Sequence, residues 1–238
     1  MEFITRISFR CIKLKHRLQK ILQIIVSQAK LENDACIWDL CCDHGELAIA
    51  IAEQVPLSKV IAVDIVSQII QNLNNKLQTK YEQLKPDTFK ICQATLMTVC
   101  QDAKLCRTRG DDMAIICGVG SDMIIDIINS LQIKPQKLIL CSHKNPVKLR
   151  NYLNSSQWGI VSEHLFYDRG QYYECYVMDR TIHEKIDVYG GEQFWIEGEK
   201  AKNYLEIKIK HLELKPAEMN IVREREQLYE IKTRLMKK

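Results

Sequence analysis

The chain has no G-x-G-x-x-G turn and only nine glycines in 238 residues. That argues against the pyrophosphate-cradling loop of a dinucleotide dehydrogenase, which needs bare backbone at several positions. No C-x-x-C pair occurs among its ten cysteines, so the usual seed of a zinc site is missing and no metal is expected. The apolar run ILQIIV at 21–26 is too short and too interrupted to span a bilayer, and no small-residue cleavage site follows it; no membrane association is expected. There are no repeats of 20–50 residues and no low-complexity tracts. Acidic residues are nearly absent from the first 30 positions, where Glu2 stands alone against seven Lys or Arg, a local balance of +6, while residues 31–180 sum to about −3. A positive field concentrated at one end suits a polyanion; a solvated helix face is the plainer alternative.

What is present reads as a layered α/β domain. The apolar share of 46% supplies a core. Cys36, Cys41, Cys92, Cys117 and Cys141 lie in or beside apolar runs that read as buried strands, so a reducing, cytoplasmic compartment is expected. Leu14, Leu18, Ile21, Leu22 and Ile25 fall at helical spacing, predicting a basic amphipathic helix within residues 1–30 that docks on the core. Apolar runs at 35–40, 60–65, 89–92, 113–117 and 138–141 alternate with helical patterns at 46–54, 67–81, 122–131 and 146–155, which predicts a parallel sheet wrapped by helices. Segments 160–165 and 172–178, joined by the turn DRGQ, read as a closing antiparallel hairpin. That combination is the Rossmann-like sheet of class I methyltransferases, mostly parallel with an antiparallel hairpin at one end. It is assigned to residues 31–180. Residues 181–238 read as a C-terminal α-helical hairpin, with Leu205, Ile209 and Leu212 on one helix, Ala217, Ile221, Leu228, Ile231 and Leu235 on the other, and Pro216 between them.

In an open α/β sheet, ligands settle at the carboxyl ends of the strands. Three stretches there carry polar residues. The opening loop DLCCDHG (39–45) brings Asp39, Cys41, Asp43, His44 and Gly45 to the start of a helix whose free N–H groups favour an anion. Asp64, followed by Ile65, ends the second strand 25 residues after Asp39, where a carboxylate accepts ribose hydroxyls. In CGVGSD (117–122), Gly118 and Gly120 allow close backbone approach or positive φ, and Ser121 or Asp122 is placed to cap the next helix. A glycine-poor loop favours a cofactor without pyrophosphate, and S-adenosyl-L-methionine is expected over NAD.

These residues carry a resemblance. DLCCDHG (39–45), VDIV (63–66) and ICGVGSD (116–122) resemble the tRNA (adenine(22)-N1)-methyltransferases of the TrmK type, especially a branch with WDCCCDHG loops. LILCSHKNPVKLRNYL (138–153) is similar to that family's segment leading to an "LR" helix, and GIVSEHLFYDRGQYYECYVM (159–178) to its closing hairpin with a "YE" pair, here Tyr173 and Glu174. KLKHRLQKI (13–21) is similar to its N-terminal KLSKRLQ, so the first eleven residues read as an extension. The likeness covers residues 12–180. It implies methyl transfer from S-adenosyl-L-methionine to N1 of an adenine in tRNA, at position 22. Asp43 is then the candidate carboxylate for charge growing on the base, with a cap on the following helix as its plainer alternative, and His44 orients it or contacts the base, with a structural histidine as the alternative. Lys13, Lys15, Arg17 and His143 are the expected RNA contacts. Three positions depart from the family. Read as ending at Cys92, the third strand is followed by Gln93-Ala94-Thr95 with no Asp for the adenine amino group. Ser121 stands where a glycine is usual, and Cys141-Ser142-His143 replaces QPN. The main rival reading is a catalytically weakened methyltransferase fold serving as an RNA- or partner-binding module. A methyltransferase acting on a small molecule is a second rival.

Overall fold

The computed structural model describes residues 14–29, 35–195, 198–216 and 218–236; Lys13 and Ala217 lie outside them. In chain order the elements are α1 (His16–Gln28), β1 (Cys36–Leu40), α2 (Glu46–Gln54), β2 (Lys59–Asp64), α3 (Ser67–Gln78), β3 (Glu82–Lys85), β4 (Thr88–Ile91) and β5 (Ala94–Cys100). A short 3-10 turn (Ala103–Leu105) precedes β6 (Met113–Cys117), α4 (Ser121–Ser130), β7 (Lys137–Cys141), α5 (Pro146–Asn154), β8 (Gly159–Asp168) and β9 (Gln171–Asp179). The chain then forms α6 (Glu192–Trp195), α7 (Glu199–Glu213) and α8 (Met219–Met236).

The strands make one sheet in the order β3-β4-β5-β2-β1-β6-β7-β9-β8. The five central strands from β5 to β7 are parallel, and β9 lies antiparallel between β7 and β8. Central strands are apolar on both sides because helices cover both faces. In β1, Ile37 joins the core under α1, α2 and α3, while Leu40 joins the core under α4 and α5. Residues 47–52 of α2 are all buried, and the alternation of Ala48, Ala50 and Ala52 with larger side chains keeps this helix close on the sheet. The predicted stripe of α1 forms, with Ile21, Leu22, Ile24 and Ile25 buried against that core and Leu14 and Leu18 half-buried.

The segment at 89–92 departs from expectation. It is β4, antiparallel rather than parallel, and the chain turns at Cys92 with φ 53° to return as β5, which pairs in parallel with β2. Cys92 therefore sits exposed in a tight turn rather than in a buried strand. The edge strand β3 has no apolar pattern to announce it. It is wholly exposed, and its charged residues Glu82 and Lys85 discourage edge-to-edge pairing.

A buried charge cluster joins the C-terminal helices to the sheet. Arg150 on α5 has no exposed surface. Its Nε donates to Glu174 Oε2 at 2.6 Å, and its Nη1 donates to the Asp187 carbonyl at 2.9 Å and pairs with Glu163 at 2.5 Å. Tyr176 and Tyr204 hydroxyls each donate to Glu174 at 2.6 Å, and Lys208 lies 3.5 Å away. Burial alone pushes the Glu174 carboxyl up, but Arg150, Lys208 and the two hydroxyls outweigh it and hold the group at about 2. The guanidinium also lies over Tyr176 and Phe194, so β8, β9 and α6 converge on the cation carried by α5, and α7 joins through Glu174. Beyond it α7 and α8 close a separate apolar core, with Leu205, Ile209 and Leu212 meeting Leu228 and Ile231.

Removing one member of this cluster strands the rest. Glu174→Ala should lower unfolding free energy by about 3–5 kcal/mol by leaving Arg150 buried with too few partners. Urea denaturation measures it, and Glu174→Gln, which keeps acceptor and shape, should cost less.

Candidate active site

The opening loop becomes a site through its backbone. Cys41, Asp43 and Gly45 all take left-handed φ values, 63°, 49° and 67°, so the chain coils tightly between β1 and α2. The neighbouring strand holds that coil: Cys42 N–H donates to the Val63 carbonyl at 2.9 Å, and Asp43 N–H to Asp64 Oδ2 at 3.1 Å. The other Asp64 oxygen accepts Val66 N–H at 3.0 Å. Gly45 is the one obligatory glycine of the loop, because a Cβ there would lie 2.5 Å from a Leu73 methyl.

The coil walls a cavity of about 300 Å³ at the carboxyl edge of the sheet. Of the residues singled out from sequence, Lys15, Arg17, Asp39, Cys41, Asp43, His44, Asp64, Gly118 and His143 line it. Gly45, Ile65 and Gly120 do not. Gly45 is packed beneath Leu73, Ile65 stands exposed just past Asp64, and Gly120 has an ordinary φ of −75° with open space around it. Gly118, at φ 89°, does need its glycine. Ser121 and Asp122 cap nothing, since α4 starts at Ser121 and its cap position is Gly120. The buried Ser121 hydroxyl instead meets Ser142 Oγ at 2.8 Å and the carbonyls of Lys144 and Asn145 at 2.7 and 2.9 Å, tying the β6–α4 and β7–α5 loops together. Asp122 pairs with Lys148.

Asp39 lies at the floor, 3% exposed, and among the described residues its Oδ2 has no hydrogen-bond partner. Burial pushes its carboxyl up to about 7, against an N–H from Ala48 and with help from the neighbouring Asp64 and Asp43. An orphaned carboxylate oxygen among other acids fits an ammonium or hydroxyl donor, not a phosphate. At the rim, Asp43 and His44 are both exposed and 3.7 Å apart. The cap residue of α2 is Gly45, which has no side chain to cap with, and among the described residues the Asp43 carboxylate makes no hydrogen bond to the first turn of that helix. Across the cavity Arg17 Nη1 donates to His143 Nε2 at 2.8 Å, and its guanidinium sits 4.4 Å over the Tyr173 ring.

Two acidic residues escaped sequence reading. Asp168, at the tip of the β8–β9 hairpin, also lines the cavity. Asp102 follows β5, whose Cys100 is in register with Asp64, and its charge helps push up the Cys41 thiol, a shift in which burial is the largest cause. Once β5 is recognised as the parallel strand, an Asp does stand just past its carboxyl end, and the supposed gap at Ala94 belongs to the far end of that strand. The signal was the alternation in ATLMTVC, Ala94, Leu96 and Thr98 buried with the residues between them less so.

A parallel sheet closed by an antiparallel hairpin, with an acid-lined and glycine-poor loop at its carboxyl edge, defines the Rossmann-like methyltransferase class. The model of the family "Methyltransferase domain" matches residues 14–176, and the chain belongs to that family. A Mycoplasma pneumoniae protein described as "Putative tRNA methyltransferase" is 24% identical over 170 residues, 71% of this chain and 72% of its own. Among solved structures, M. capricolum TrmK with S-adenosyl-homocysteine superposes with a TM-score of 0.70 at 19% identity, covering 92% of this chain and 96% of its own. A Streptococcus pneumoniae protein described as "a putative tRNA (m1A22) methyltransferase" gives 0.71 at 16% identity, covering 92% and 99%. At these identities the structural likeness is one of fold. No described helix is long and apolar enough to cross a membrane.

The Asp39 environment gives a stability test. Its folded value of about 7 lies above the ordinary 3.8, so the folded state binds the proton more tightly and loses stability as pH rises between the two. Asp39→Asn should therefore stabilise the ligand-free protein, with a gain that grows from about pH 4 to pH 7 and levels off above. Thermal midpoints across that range check it; a gain independent of pH would contradict it.

Proposed function

We propose that the chain transfers a methyl group from S-adenosyl-L-methionine to N1 of an adenine in tRNA, with position 22 as the expected target. The observation that carries this is the unpartnered Asp39 oxygen at the floor of an acid-lined cavity beside an exposed Asp43–His44 rim. The likeness to tRNA methyltransferases in sequence and fold supports it. The described residues fit the donor: Asp39 is free to accept from its ammonium, Asp64 retains lone pairs for ribose hydroxyls, and Asp102 stands at the edge for the adenine amine. When bound, S-adenosyl-L-methionine supplies a methyl group on a positively charged sulfur. Phosphates would find no cradle among these carboxylates.

N1 of adenine attacks with its own lone pair, so no base is needed to deprotonate it. The residues have to hold the acceptor in line, exclude water and offset positive charge growing on the purine. Asp43 is exposed at the rim, 3.7 Å from His44, and in this reading its carboxylate faces the exocyclic amine, where that charge spreads. The target must be unpaired, because N1 lies on the pairing edge.

The RNA track extends from the rim. A larger groove, about 820 Å³, runs from Asn145 at the start of α5 to the C-terminal helices, with Lys148, Lys208, His211, Lys215 and Arg223 along it. With Lys15 and Arg17 on the other side of the cavity, it forms a basic path for phosphates. We assign residues 1–30 and 181–238 to RNA contact and 31–180 to the donor, in the cytoplasm. The binding-module rival rested on Ala94 and Ser121. Ala94 begins a strand away from the site, and Ser121 is a buried tie between loops.

Labelled methyl transfer to unmodified tRNA tests the reading. Asp43→Ala should cut kcat by roughly 100-fold while calorimetric affinity for S-adenosyl-homocysteine stays within about twofold; loss of both would make Asp43 part of the donor pocket. Lys215→Glu with Arg223→Glu should raise KM for tRNA and flatten its salt dependence. Deleting α7 and α8 would be a poor substitute, since Tyr204 belongs to the Glu174 cluster. Affinity for the homocysteine product should fall as pH drops below about 7, because a protonated Asp39 no longer attracts its ammonium; Asp39→Asn should be weaker throughout and lack this fall.

A further inference from the structure

Arg17 occupies an unusual position for an arginine at the mouth of an acidic cavity. Asp43, Asp64 and Asp168 line the same cavity, yet among the described residues Arg17 forms no ion pair. Its guanidinium carbon lies over the Tyr173 ring, 4.4 Å from the centroid, and its Nη1 donates to His143 Nε2 at 2.8 Å. Tyr173 is buried, packs edge-on against His143 at 5.5 Å between ring centroids, and is fixed by its own hydroxyl, which donates to Gln171 at 3.0 Å. A planar cation thus covers the face of a rigid ring beside the cavity.

From this the geometry points to the Tyr173 face as the seat of the acceptor base, with Arg17 as its removable occupant and His143 Nε2 as the acceptor that selects an exocyclic amine. This rests on the proposed tRNA activity and says which residues take the base. Arginine has no acceptor atom, so a bond from Arg17 requires Nε2 to carry its lone pair and places any ring proton on Nδ1. Burial and the Arg17 charge both favour the neutral ring. When Arg17 leaves, that lone pair is free for an N–H of adenine, whereas guanine presents a carbonyl oxygen there and is repelled. The base amine has two hydrogens, one for His143 and one for Asp43. Phosphates of an incoming RNA give Arg17 a better partner than an aromatic face, and a base stacked on the vacated ring takes over the contact. Tyr173 sits at the start of β9, beyond the carboxyl end of β7, so the seat opens on the donor side of the sheet.

The test uses the full chain, unmodified tRNA, and the same tRNA with formycin at the acceptor position, a fluorescent adenosine analogue that keeps the C6 amine and is quenched on stacking. Tyr173→Leu should lower kcat by about tenfold or more and brighten bound formycin, with affinity for S-adenosyl-homocysteine unchanged; Tyr173→Phe should restore both readouts. Arg17→Ala should raise KM for tRNA with kcat preserved, and His143→Leu should erode the preference for adenine over guanine acceptors. Equal turnover and equal quenching in Tyr173→Leu would overturn the seat. So would a parallel loss of homocysteine-product affinity, which would make Tyr173 a support of the donor pocket. Failure of the unaltered protein to methylate any tRNA would instead overturn the activity, and the seat with it.

Discussion

The site depends on one carboxylate holding two backbone N–H groups. Asp64 ends β2 and accepts from Asp43 and Val66, which pins the loop after β1 to the strand beside it. Left-handed backbone costs roughly 1–2 kcal/mol at each non-glycine residue, and Cys41 and Asp43 both adopt it. A hydrogen bond to a charged acceptor contributes about 1.5–3 kcal/mol, so two at Asp64 are of the right size to offset that strain. The consequence is directional. The coil turns Asp43 out to the rim while β1 keeps Asp39 in the floor, and two acids four residues apart acquire opposite environments.

The same contrast explains what the sequence discloses and what it hides. Asp39, Asp64 and Gly118 were readable because each sits at the end of an apolar run, where the period of the strand stops and a polar residue follows. Gly120 and Ile65 have identical credentials in sequence, yet the chain geometry turns them away from the cavity. β5 was hidden by its composition. Two threonines and a methionine dilute its alternation, and the turn at Cys92 uses a non-glycine residue at positive φ, so nothing marks a hairpin. Missing β5 misplaced the edge of the sheet by one strand and concealed Asp102, which stands just past the carboxyl end of the strand that pairs with β2.

Long-range clusters are harder still to read. Arg150, Glu163, Glu174, Tyr204 and Lys208 look like ordinary surface residues of four separate segments. Only the hairpin pairing of β8 with β9, which sets Glu163 against Tyr176, and the docking of α7 bring them together. A buried ion cluster of this kind adds little net stability over an apolar one, but it tolerates few alternative packings. Here it fixes where the C-terminal helices sit against α5. The groove between them therefore has a set width, and that groove begins at Asn145, two residues from His143.

In the reaction proposed above, these two anchors stand on opposite sides of the cleft. Asp64 fixes the loop that faces the donor, and the Arg150–Glu174 cluster fixes β9, whose first residues carry Tyr173 within two positions of Cys175 and one of Glu174 itself. Methyl transfer requires the two partners to be aligned within a fraction of an ångström, and misplacement of about 1 Å costs on the order of 100-fold. A carboxylate that anchors β9 next to the base seat and a carboxylate that anchors the donor loop are thus coupled through the rigid parallel strands between them. The buried charges are placed where rigidity is needed, at the two walls of the cleft, and the exposed pair Asp43 and His44 stands at its rim, with the half-buried Arg17 across from them.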